Sequence, residues 1–126
     1  MEKWEIYKAP GGFRIVWGVL RGQPILFRED ECYKTIADAC AAFQKIAEMR
    51  AKTYSSLTRQ PDGYLVEYRN YYGDQSWQSM HFEKYGSAKS FQSKARKAFA
   101  DDMVKHFKSV NAEILHCADM IETQCV

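Results

Sequence analysis

The residues of this 126-residue chain best able to do chemistry are three histidines, His81, His106 and His116, and four cysteines, Cys32, Cys40, Cys117 and Cys125. Nucleophilic catalysis needs a nucleophile, a base and a group that orients the base. None of the histidines stands in a recognisable elbow or catalytic motif. Cys32 and Cys40, like Cys117 and Cys125, are spaced more widely than the roughly two to four residues usual between zinc ligands. His116 beside Cys117 adds a ligand type without correcting that spacing, so no metal is expected. Cys40 lies one helical turn from Ile36 and from Phe43 and reads as a small core residue. The acidic run Glu29-Asp30-Glu31 has the composition of a metal or acid–base cluster, but it reads as a solvated stretch ahead of a helix. Pro10-Gly11-Gly12 is a hairpin turn and not a phosphate loop. No catalytic residue, cofactor or metal follows from these residues, and the chain is expected not to be an enzyme.

Two other groupings could recognise a macromolecule. Lys84, Lys89, Lys94, Arg96, Lys97, Lys105 and Lys108 crowd one stretch against Asp101 and Asp102, whereas residues 109–126 carry Glu113, Asp119 and Glu122 and no lysine or arginine. A net charge of +2 hides this polarity. The stretch suits phosphates or an acidic protein surface; a solvated helix face partly compensated by the tail is the simpler reading. Tyr68, Tyr71, Tyr72 and Trp77 gather around a turn. Tyr68 should face the core, as Trp17 does, while Tyr71 and Tyr72 flank the turn and cannot both be buried. Exposed aromatics at such a tip stack on bases or anchor a protein interface, and packing over a sheet edge remains an equal alternative.

The elements that must position these groups come in two copies. Gly12-Phe13-Arg14-Ile15-Val16-Trp17 recurs as Gly63-Tyr64-Leu65-Val66-Glu67-Tyr68, Gly22 as Gly73, and Glu31-Cys32-Tyr33-Lys34-Thr35 as Glu83-Lys84-Tyr85-Gly86-Ser87. A repeat of this length reports architecture. In the first copy, Trp4–Lys8, Phe13–Leu20 and Ile25–Arg28 are strands separated by turns at Pro10-Gly11-Gly12 and Arg21-Gly22-Gln23-Pro24. Phe13, Ile15, Trp17 and Val19 alternate onto one face. Thr35 then caps a helix to about Lys52, with Ile36, Ala39, Cys40, Phe43, Ile46 and Ala47 on its apolar stripe. In the second copy, strands at Ser56–Thr58, Tyr64–Tyr68 and Trp77–Phe82 precede a helix capped by Ser87 that runs to about Lys108. Ala112–Cys117 reads as a last strand, with a short helix as the alternative. Ala39, Phe43 and Ile46 are small where Phe91, Ala95 and Ala98 are large, and the reverse, so the helices are expected to touch across a pseudo-twofold axis.

The turn glycines Gly11 and Gly12 before Phe13-Arg14-Ile15, then Gly22-Gln23-Pro24-Ile25, Glu31-Cys32-Tyr33-Lys34-Thr35, and Ala37, Ala39, Phe43 and Ile46 resemble the YegP-like family of tandem βββα proteins. Asp62-Gly63-Tyr64, Gly73, Glu83-Lys84-Tyr85-Gly86-Ser87 and Phe91 carry the likeness into the second copy. It covers about residues 4–108; Trp77–Phe82 departs from the pattern and the tail lies outside it. The resemblance implies a fold and pairing into dimers, and no established activity. In topology alone, each unit is also similar to the sheet-plus-helix modules of integrase arms and plant ethylene-response DNA-binding proteins.

The expected fold is therefore α+β: a single domain over 1–126 of two βββα units, 1–53 and 54–108, with an extension at 109–126. The strands form an antiparallel sheet with two helices on one face. The start Met-Glu-Lys-Trp-Glu lacks a basic region followed by an apolar stretch, and no apolar run reaches bilayer length, so a soluble cytoplasmic protein with free thiols and no membrane partner is expected. The expected function is recognition of a protein partner, as an adaptor or inhibitor of the kind that phages and mobile elements carry. The surface is Tyr71, Tyr72 and Trp77 with Lys89, Lys94, Arg96 and Lys97. Nucleic-acid binding by that surface and a structural homodimer that consumes the aromatics are the alternatives.

Overall fold

The structure, a computed structural model, describes residues 3–20, 23–26 and 31–116. The turn expected at Arg21-Gly22, the strand end at Phe27-Arg28, Glu29-Asp30, and Cys117 and Cys125 lie outside the described residues. The elements run β1 (Glu5–Ala9), β2 (Gly12–Leu20), β3 (Gln23–Leu26), α1 (Ile36–Thr53), β4 (Ser55–Gln60), β5 (Gly63–Tyr68), β6 (Gln78–Phe82) and α2 (Tyr85–Val110). The class is α+β. The strands form two antiparallel three-stranded sheets, β1-β2-β3 and β4-β5-β6, and not the one sheet expected. Each ladder joins strands adjacent in sequence, whereas α1 lies between β3 and β4.

Two glycines explain part of the repetition in the sequence. Gly12 and Gly63 open the second strand of each sheet with φ of +153° and +148°. A Cβ on Gly12 would collide with the Tyr33 carbonyl oxygen, and one on Gly63 with that of Phe82. Only glycine lets a neighbouring backbone come so close. At Gly12 the approach is fastened by Phe13 and Tyr33, which exchange N–H···O bonds of 2.7 Å.

Helix α1 starts as expected: the Thr35 hydroxyl accepts from the Asp38 amide at 3.1 Å, with Asp38 near the positive end of the helix dipole. Helix α2 starts earlier than expected, at Tyr85, because Ala88 already donates to the Lys84 carbonyl; Ser87 sits inside the first turn and is not the cap. Residues 112–116 are helical, not a strand. The ladder from Asn111 to Phe107 and from Leu115 to Asn111, each 3.0 Å, carries the helical hydrogen bonding past α2.

The chain divides into two compact units, Met1–Phe43 with Lys105–Val126, and Gln44–Val104. The divisions fall inside both helices, whereas the repeat boundary read from the sequence falls after α1. In the first unit Trp4, Ile6 and Ile15 are buried on one face of the sheet, with Ile6 paired to Ile15. Trp4 meets Phe43 of α1 edge-on at 5.8 Å, and Phe43 stacks on Phe107 of α2 at 3.9 Å and 11°. Burying each such side chain is worth about 1.5–3 kcal/mol. Trp17, expected to face the core, stacks on Trp4 at 6.0 Å but keeps 46% of its surface exposed.

The helices thus touch, but not through the volume-matched pairs expected. Ala39 and Phe43 are buried, yet Ala98 is exposed and the buried positions on α2 are Ala88, Gln92, Phe99, Ala100, Met103 and Phe107. Phe91 packs instead against Tyr68 and Phe82 of its own sheet, at 5.2 and 5.3 Å. The opposite face of that sheet is largely polar, with Ser56, Thr58, Ser79 and His81 exposed and Leu65 half-buried among them, the alternation of a half-solvated antiparallel sheet.

Asn111 ties β1 to the end of α2. Its side-chain Oδ1 accepts from the Ile6 amide at 2.8 Å, and its Nδ2 donates to the carbonyls of Trp4 at 3.0 Å and Phe107 at 2.8 Å. The amide stands in for the missing neighbour strand at the edge of β1, in a buried setting. Asn111→Leu fills similar volume and strips β1 of these partners. It should lower stability by about 1–3 kcal/mol, read as a reduced urea midpoint; an unchanged midpoint would mean that the clamp contributes nothing.

Candidate protein-interaction site

Of the aromatic cluster seen in the sequence, Tyr68 ends β5, and Tyr71, Tyr72 and Trp77 lie on residues 69–77, between β5 and β6 in the second unit. The segment is held by its own hydrogen bonds. Arg69 extends the β4–β5 pairing by donating its amide to Tyr54 at 3.0 Å, and its Nε donates to the Gln75 carbonyl at 2.7 Å. Gln75 Nε2 donates to the Tyr71 carbonyl at 2.6 Å, and Asn70 Nδ2 to that of Asp74 at 3.4 Å. Asp74 Oδ1 accepts from the Ser76 amide and hydroxyl at 3.0 and 2.6 Å, and Oδ2 accepts from Gln78 Nε2 at 3.2 Å. Gly73, with φ of +76°, supplies the left-handed turn. The result is a compact loop packed on its own polar groups.

This loop sorts the aromatics. Tyr71 is buried, edge-on to Phe99 of α2 at 5.5 Å. It is therefore a footing of the loop and not a contact surface, contrary to its expected role. Tyr72 leans on Tyr71 at 5.1 Å and is 41% exposed; Trp77 is 52% exposed and meets Tyr54 edge-on at 6.3 Å. The expectation that Tyr71 and Tyr72 could not both be buried thus agrees with the fold.

Three participants were not singled out from the sequence. The Arg69 guanidinium lies 4.7 Å from the Tyr54 ring centre and 6.0 Å from that of Trp77. Arg50 lies 5.9 Å from the centre of the same Tyr54 ring and reaches the Tyr54 hydroxyl at 3.4 Å. Each such cation–aromatic contact is worth about 0.5–1 kcal/mol at a surface. The one available signal was register. Ser55 pairs with Tyr68, and one step further the same ladder sets Tyr54 opposite Arg69.

The basic residues are dispersed. Lys89 and Lys94 are exposed. Lys94 stands five residues before Phe99, about 140° round the helix from it, so it does not share a face with the footing of the loop. Arg96 donates its Nε to the Ser55 hydroxyl, and Lys97 pairs with Asp101 at 3.6 Å, both largely exposed. A groove of about 360 Å³ between α1 and α2 in this unit is floored by Ala51 and Ala100 and brings Arg96 and Lys97 together with Lys52, against Glu48 and Asp101. Its mixed charge does not suit a phosphate chain.

Among the described residues no group of three His, Cys, Asp or Glu side chains could hold a metal, and no helix is long and apolar enough to cross a membrane. His81 faces Asp62 at 3.5 Å on the exposed side of the sheet. Cys32 is exposed, and Cys40 is partly buried. Burial pushes the Cys40 thiol up, against a smaller opposing pull from Lys108.

Two outcomes follow from these environments. Cys40 should react with iodoacetamide more slowly than Cys32 in the folded chain at neutral pH, because the thiolate is the nucleophile; peptide mass spectrometry reads the order, and equal rates would contradict it. The Ser76 hydroxyl, then its amide, then Gln78 hold the Asp74 carboxyl below its ordinary range. A depressed folded-state value means that the order it gives the loop is present above the unfolded value and lost only as pH falls through the lowered one. The Ser76 amide resonance should titrate below the ordinary carboxylate range; a midpoint within it would show that the contacts do not persist in solution. Comparison with family models, with curated proteins and with solved structures finds no significant match.

Proposed function

We propose that this chain is a non-enzymatic binding protein that recognises a protein partner through the loop at 69–77, as an adaptor or inhibitor would. The observation that carries the reading is the loop itself. It spends its polar groups on internal hydrogen bonds, anchors through buried Tyr71, and leaves Tyr72 and Trp77 outward. Large, rigid aromatics beside an arginine are the residue types on which interface energy concentrates. The part of the expected surface that enters this reading is Tyr72 and Trp77, with Tyr71 as support. The YegP-like resemblance and the description of the chain as two tandem βββα repeats belong to the same reading, supported by the matching roles of Gly12 and Gly63.

Nucleic-acid binding is the second reading, and it rests on Lys89 and Lys94, which are exposed and carry no ion pair among the described residues. Salt separates the two. Phosphate contacts weaken steeply between about 50 and 200 mM salt, whereas an aromatic-anchored interface does not. The tagged full chain should retain a protein from a lysate of its source whether or not nuclease is added. Trp77→Ala and Tyr72→Ala should each reduce retention by about tenfold or more, the loss typical of interface hot spots. Retention abolished by nuclease, or by Lys89→Ala with Lys94→Ala while Trp77→Ala is silent, would replace this reading with the second. If instead the two aromatic substitutions change only the mass of the chain in solution, the aromatics serve a homodimer.

A further inference from the structure

The geometry points to Arg69 as a receptor for a carboxylate, so that the surface around Trp77 selects an acidic segment of the partner; this rests on the reading of the loop as a binding surface. An arginine side chain offers five N–H donors in a planar fork. Here Nε is committed to the Gln75 carbonyl at 2.7 Å, and the guanidinium carbon lies 4.7 Å from the Tyr54 ring centre and 6.0 Å from that of Trp77. No hydrogen bond or ion pair to the two terminal nitrogens is found among the described residues. The side chain is half-buried and not withdrawn from solvent. A guanidinium fixed through Nε and close to two rings presents its terminal nitrogens in the arrangement that meets both oxygens of a carboxylate.

The local charge favours the same ligand. Asp74, the acidic side chain of the loop, is held by Ser76 and Gln78 and makes no ion pair with Arg69 among the described residues. Trp77, half exposed at the rim of the same arginine, offers a face for an apolar or aromatic side chain next to the bound carboxylate. A nucleic-acid strand would instead call for several cations along one track, and Lys94 of α2 lies about 140° round the helix from Phe99, on which this loop rests. The ligand is therefore a protein segment that alternates acidic and large apolar residues.

The test uses the full-length chain and a short fluorescein-labelled peptide of alternating glutamate and phenylalanine, its glutamine–phenylalanine counterpart, and single-stranded oligothymidylate. Fluorescence anisotropy should show binding of the glutamate peptide, with the glutamine peptide weaker by at least about tenfold. Arg69→Lys keeps the charge and loses the fork, and it should erase most of that preference. Because Arg69 also holds Gln75, the amide spectrum of the variant should be checked for an intact Ser76 signal; the comparison of the two peptides on the unaltered chain needs no variant. No binding of the glutamate peptide, equal binding of both peptides, or tighter binding of the oligonucleotide would each overturn the inference. Should a partner retained from lysate depend on Trp77 but not on Arg69→Lys, carboxylate selection alone has failed. Should it depend on neither, the binding-loop reading has failed with it.

Discussion

The structure depends on one constraint: each of its two compact units takes part of its core from a helix that begins in the other. The first unit needs the end of α2, because Phe43 stacks on Phe107 and Asn111 satisfies the backbone of β1. The second needs the end of α1, which supplies the buried Ala47 and Ala51. A three-stranded sheet of this size exposes one apolar face that it cannot cover alone, and a sub-50-residue piece buries too little surface to be secure. In the first unit that cover comes from residues distant in sequence, Lys105 onward, whereas the second unit is the continuous segment Gln44–Val104. The hairpins of the first sheet can form locally, but its core closes only when Phe107 and Asn111 reach it.

That architecture sets where function can sit. The helix-facing sides of the strands and the inner sides of the helices are occupied by packing. The outer side of β4–β6 is largely polar. The long connection between β5 and β6 offers exposed Tyr72 and Trp77 for specific contact. Function often resides in such connections when a rigid scaffold holds them. Here rigidity comes from below through Tyr71 on Phe99, and from within through Asp74, Gln75 and Arg69. Tyr72 and Trp77 remain 41% and 52% exposed on the loop held in this way.

Local features were legible in the sequence and contacts set by register were not. Thr35 as a helix cap, Gly12 and Gly63 as turn residues, and the choice that must be made between Tyr71 and Tyr72 depend on a few adjacent residues, and the fold agrees with them. Ala112–His116 is a short apolar run in which helical and strand periods are hard to separate; continuity with α2 decided it. The start of α2 was misplaced because serine is a common cap, whereas the backbone at Lys84 had already turned. The volume match between the helices failed because Phe91 could serve either a helix or its own sheet, and the sheet took it. Arg50, Tyr54 and Arg69 are far apart in sequence and met only through strand register and the end of α1. No composition or spacing rule names them.

The central claim is that one loop divides its aromatics between holding the fold and meeting a partner. Urea unfolding of Tyr71→Ala, Trp77→Ala and the unaltered chain tests it most directly. Tyr71→Ala should lose about 3 kcal/mol or more, as truncation of a buried aromatic does. Trp77→Ala should lose no more than about 1 kcal/mol, the worth of its surface contact with Arg69. A Trp77→Ala loss as large as that of Tyr71→Ala would contradict the account, because the indole would then be part of the core and not a surface offered to a partner.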